Sequence, residues 1–152
     1  MIDKLYKTFV DATQNVFSLM LNLSEISDHP LESFECEDVL EVAIGFVGDL
    51  DGEVIYRFPI STSLNMVEIM SGMQFEQVDA FVTSAISEIS NIISGNVLNA
   101  LSSSDLQCNI LTPVLLKPYE NSEDKEYDLK THTCINTSIG ELCIEIRLNR
   151  IG

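Results

Sequence analysis

The stretch SAISEISNIISGN, residues 84–96, sets a carboxylate, Glu88, three residues before an amide, Asn91, among isoleucines. On a helix that separation amounts to about 60° of rotation, so both head groups project into one volume outside the backbone. An amide donates and accepts, which suits it to orienting a water molecule, while a carboxylate takes a proton or grips a cation. The same spacing is common on solvated helix faces that do no chemistry. Ser84, Ser87 and Gly95 flank the pair, so the surface around it is low and open to close approach by a partner's backbone. A glycine inside a helix costs about 1 kcal/mol relative to alanine and asks for a reason, either a partner or a neighbouring helix. Asn96 falls near the apolar face and reads as a structural amide bonded to nearby backbone.

Other constellations are thinner. The two histidines are His29 and His132, and His132 with Cys134 supplies two ligands on one side of a strand without a completing pair, so no metal site is expected. No local signature of a Ser/His/Asp or Cys/His nucleophile is present. GDLDG (48–52) lies between two strand-like runs, where a turn accounts for it better than a phosphate loop does. Cys36, Cys108, Cys134 and Cys143 lack CxxC spacing and read as reduced, buried thiols.

The element that positions the pair is a long helix over 76–102. Val82, Ala85, Ile86, Ile89, Ile92, Ile93, Val97 and Ala100 share one face of it, and Gln77, Ser84, Ser87, Glu88, Asn91 and Gly95 gather on another. Around it the chain reads as a helix over 2–23, an acidic solvated connection through SDHPLESFECEDVLE, and a hairpin of 40–47 with 53–60. A short helix follows Pro59, opening on Ser/Thr capping candidates and ending near Gly72. The last third supplies a strand in LQCNILTPVLL, a polar turn KPYENSEDK, and a second hairpin joined at Ile139 and Gly140. This order predicts an α+β fold in which an antiparallel sheet built from hairpins packs against two long helices.

Length and a hydrophobic fraction of 45% predict one packed domain over residues 1–152. With 24 acidic against 8 basic side chains the net charge is −16, which disfavours nucleic acid and anionic membrane as partners. The opening MIDKLYKTFVDATQ lacks the apolar core of a secretory leader, and no run reaches the length of a membrane span, so the expected location is the cytoplasm.

SAISEISNIISGNVLNAL resembles the active helix of the CheX branch of the CheC/CheX/FliY chemotaxis phosphatases, with its E-x-x-N pair and a glycine four residues after the asparagine. GDLDGEVIYRFPISTSLNMVEIMSGM is similar to the hairpin and short helix before that helix, and CNILTPVLL to the proline-containing segment after it. The resemblance covers roughly residues 40–118, and the final hairpin agrees in position and pattern. It implies that Glu88 and Asn91 are the catalytic pair, with Ser84, Ser87 and Gly95 contacting the partner. The implied substrate is the aspartyl phosphate of a CheY-like response regulator. Asn91 would orient the attacking water and Glu88 would engage the regulator's lysine. The chain would need no cofactor of its own, since Mg2+ would be bound by the regulator. Relatives of the CheC type carry a second pair on the first helix; DATQNVFSLML (11–21) has none, which favours the single-site CheX branch. Members of that branch can form dimers, so a homodimer is possible. Two other readings share the composition: a non-catalytic adaptor that sequesters a regulator or flagellar component, and a structural subunit.

Overall fold

The computed structural model describes residues 2–30, 38–116 and 126–151. Its elements run α1 (Ile2–Leu21), β1 (Ser27–Pro30), β2 (Val39–Gly48), β3 (Leu50–Pro59), α2 (Ile60–Ser71), α3 (Ala80–Ser102), β4 (Cys108–Ile110), β5 (Val114–Leu116), β6 (Leu129–Thr137) and β7 (Gly140–Arg150). One antiparallel sheet in the order β1-β6-β7-β3-β2-β4, with β5 also on β2, collects every strand.

Side-chain alternation along the strands decides where the core lies. Val42, Ile44 and Phe46 of β2, Val54, Tyr56 and Phe58 of β3, and Leu142, Ile144, Ile146 and Leu148 of β7 point to one face. There they meet Leu5, Phe9 and Val16 of α1, Met66 and Val67 of α2, and Val82, Ile86, Ile89, Ile93 and Val97 of α3. The predicted α+β architecture is the observed one, with two long helices and a shorter third on a single sheet face.

The GDLDG turn is drawn into the sheet. Gly48 pairs with Cys108 of β4, while Leu50 and Asp51 pair with Arg150 and Asn149 of β7. Gly48 and Gly52 take positive φ angles of 119° and 148°, and a Cβ on Gly52 would strike the Arg147 carbonyl, so neither position tolerates a side chain.

Several boundaries differ from the sequence expectation. The first helix stops at Leu21, because Asn22 enters the left-handed region at φ 55° and the Leu23 N–H donates to the Phe17 carbonyl at 3.2 Å. The acidic connection begins as a strand: Ser27–Pro30 pair with β6, and residues 31–37 lie outside the described residues. In α2 the Ser/Thr residues do not cap the helix. Pro59 occupies the N-cap without a side-chain bond, and Thr62 Oγ1 donates to the Glu141 carbonyl at 2.9 Å, fastening α2 to β7. The expected strand 106–116 is two strands, β4 and β5, and the polar turn KPYENSEDK, residues 117–125, lies outside the described residues.

The sheet face away from the helices carries an ion network beside the buried Ile55 and Ala43. Glu145 accepts from Arg57 Nη1 at 2.6 Å, from His132 Nε2 at 3.1 Å, and from Arg147 Nε. Arg57 also meets Glu41 at 3.5 Å, and Arg147 meets Glu53 at 3.3 Å. Burial would raise the Glu145 pKa, but the hydrogen bonds from His132, Arg147 and Arg57 outweigh it and hold the carboxyl well below the usual range. Cys134 and Cys143 face each other across β6 and β7 as free, buried thiols, pushed up by burial to about 12 and about 11. Cys108 is free and half-buried, and Cys36 lies outside the described residues. No helix among the described residues is long and apolar enough to cross a membrane.

Candidate active site

Asp79 sets the start of α3. Its side chain accepts from the Val82 N–H at 2.9 Å, so the helix begins at Ala80 rather than near residue 76, and Gln77 falls outside it. The apolar face is as expected at Val82, Ile86, Ile89, Ile93 and Val97, which are fully buried, whereas Ala100 is exposed. Ser90 and Ser94 are buried on the same helix, which the apolar periodicity did not show. Ser90 returns its hydroxyl to the Ile86 carbonyl at 2.9 Å, and the Ser94 hydroxyl lies 2.8 Å from the Tyr56 hydroxyl of β3. A buried hydrogen bond of that kind, made at one rotation of the helix, fixes which face points outward.

The outward face holds Ser84, Glu88, Asn91 and Gly95, spaced four, three and four residues apart, with Ser87 beside them. Glu88 is exposed and Asn91 half-buried, and among the described residues neither side chain has an intramolecular hydrogen bond or ion pair. Both head groups are therefore available to something outside the chain. Asn96, expected as a structural amide, is half-buried.

Opposite the pair stands a second wall that the sequence did not announce. Thr112, Pro113 and Leu115 join Thr83, Ser84, Ser87, Glu88 and Asn91 around a shallow groove of about 290 Å³. The wall is a bulge: Ile110 pairs with Phe46 and Val114 with Ala43, so residues 111–113 span the place of only two residues of β2. Pro113 explains it, since proline has no N–H to give a ladder and restricts Thr112 before it to extended backbone. Gly95 lies one turn beyond this groove.

The electrostatics of the groove are simple. Glu88 is the one charged residue of α3 and, among the described residues, the one charged residue in the groove lining. The arrangement can orient one water through the Asn91 amide and hold one cationic group through Glu88. His132 and Cys134, weighed as metal ligands, are committed elsewhere: His132 bonds Glu145, and the Cys134 thiol lies 3.2 Å from Glu141 Oε2.

Gly95 has no packing reason within the chain, because a Cβ added there meets nothing within 4 Å. Gly95→Ala is accordingly expected to raise stability by about 0.5–1 kcal/mol in chemical denaturation, since alanine is the better helix former. A loss of stability would show that the glycine serves the fold and not a partner.

Comparison with known proteins gives a consistent set of matches. Residues 40–137 match the family described as chemotaxis phosphatase CheX. A protein of Thermotoga maritima named CheY-P phosphatase CheX is 32% identical over 78 residues, covering 51% of this chain and 50% of that protein. The chain thus aligns with about half the length of this relative. Among solved structures, the chemotaxis protein CheX of Vibrio vulnificus superposes with a TM-score of 0.83 at 20% identity, covering 96% of this chain and 99% of that one. The CheX of a CheX–CheY–BeF3–Mg2+ complex from Borrelia burgdorferi gives 0.81 at 20% identity, over 99% and 100% of the two chains. At such identities the structural likeness establishes the fold.

Proposed function

The chain belongs to the chemotaxis phosphatase CheX family, and from that premise we propose that it hydrolyses the aspartyl phosphate of a CheY-like response regulator. It would act as a single CheX-like domain over residues 1–152, in the cytoplasm. The observation that carries the proposal is the Glu88–Asn91 pair, without a bond and with no other charge beside it in the groove among the described residues, and held outward on a rigid helix. Asn91 orients the attacking water in line with the phosphorus, and Glu88 engages the regulator's active-site lysine. Ser84, Ser87 and Gly95 leave room for the regulator's backbone.

The chemistry asks little more of this chain. As the water oxygen bonds to phosphorus, the aspartyl oxygen departs as a carboxylate, an anion stable at neutral pH that needs no general acid. The water's proton passes to phosphate or solvent. Charge on the phosphoryl oxygens is met by the regulator's own Mg2+ and lysine, so positioning is what remains to be supplied.

A chain that reads the phosphoryl group binds it. Titrated against a CheY-like receiver of the same organism, it is expected to associate more tightly when the receiver carries beryllium fluoride and Mg2+ than when it is unmodified. Equal affinity for both forms would favour the non-catalytic adaptor.

A further inference from the structure

On the proposed phosphatase reading, the helix stripe that holds Glu88 and Asn91 continues past Ser84, one turn further toward the N-terminus, into Phe81. Seven residues before Glu88, Phe81 sits only about 20° from it around the axis and about 10 Å along it. Phe81 is 54% exposed. An exposed phenylalanine alone is unremarkable on a protein surface, but this one is braced. Its ring stacks on Phe75 with centroids 5.4 Å apart and planes 9° from parallel. Phe75 is in turn half-buried against the core, so the chain α3, Phe81, Phe75, core forms a continuous stack. Bracing removes the rotamer freedom that an exposed side chain otherwise loses on binding.

We propose that Phe81, stacked on Phe75, is the apolar anchor that selects and holds the receiver while Glu88 and Asn91 act on its phosphoryl group. A receiver whose acyl phosphate reaches Glu88 and Asn91 lies over this stripe and must cover Phe81 or leave it in water. The matching feature is an apolar side chain on the receiver surface about 10 Å from the phosphoryl group. Charge does not offer an alternative anchor here, because Glu88 is the one charged residue in α3. On the other side, exposed Leu115 beside Pro113 supplies an apolar rim, so a docked receiver would meet apolar surface on both sides of the reacting pair.

The test is steady-state dephosphorylation of a CheY-like receiver from the same organism, phosphorylated with acetyl phosphate in Mg2+, by wild type, Phe81→Ala and Phe81→Leu. Phe81→Ala is expected to raise KM about tenfold with kcat within about twofold, in keeping with the loss of an aromatic hot spot. Phe81→Leu should recover part of the loss, which a merely structural role would not require. A KM unchanged in Phe81→Ala, with wild type active, overturns the anchor and leaves the phosphatase reading standing. A wild type that accelerates no receiver overturns the phosphatase reading, and the anchor with it.

Discussion

Asn91→Ala lowers kcat for receiver dephosphorylation by about 100-fold or more, the scale of losing a group that aligns the attacking atom. Stability should stay within about 0.5 kcal/mol of wild type, because the side chain is half-buried and holds no bond among the described residues. Affinity for the beryllofluoride-loaded receiver should also persist, since the amide acts on water more than on the partner. Those three readouts separate a positioning defect from a folding or docking defect. An Asn91→Ala variant with full turnover would move the water-orienting role to another group, such as one of the hydroxyls that line the groove, Thr83, Ser84, Ser87 or Thr112.

The second large effect concerns the fold. Glu145→Gln should cost about 3–5 kcal/mol, because Arg57 and Arg147 then keep their burial and lose the carboxylate they share. The pH dependence follows from the depressed Glu145 pKa. Its ordinary value is 4.5, and in the folded chain it is lower, so below about that pH the unfolded state binds the extra proton first. Stability from this group is present in full above pH 4.5 and is lost as pH falls through the folded value. The gap between wild type and Glu145→Gln in urea denaturation should therefore narrow as pH is lowered below 4.5 and stay constant above it. A gap that widens in acid would mean that the network destabilises the sheet.

What the sequence disclosed was mostly local. Isoleucine spacing along 82–97 reports one buried face, and the outward position of Glu88 and Asn91 follows from it by geometry. Cap chemistry was harder to place. Asp79 starts the helix later than periodicity suggests, and Thr62 forgoes the α2 cap because a carbonyl of β7 is within reach. Features that depend on partners far along the chain were hidden. β1 is four residues long and rests on pairing with β6 more than a hundred residues away, which no local pattern in SDHP records. Arg57, Glu145, Arg147 and His132 are scattered charges until cross-strand register brings them together. The second wall of the groove needed the bulge at 111–113, for which Pro113 was the visible signal. Ser94 showed none, since its burial depends on the Tyr56 hydroxyl across the core.

The most direct test of the central claim is phosphate release from a phosphorylated CheY-like receiver of the same organism, in Mg2+, with this chain added in substoichiometric amount. The account predicts that the chain speeds decay of the whole receiver pool, each copy turning over many times. Receivers that bind the chain yet decay at their own rate would contradict it and leave an adaptor in place of an enzyme.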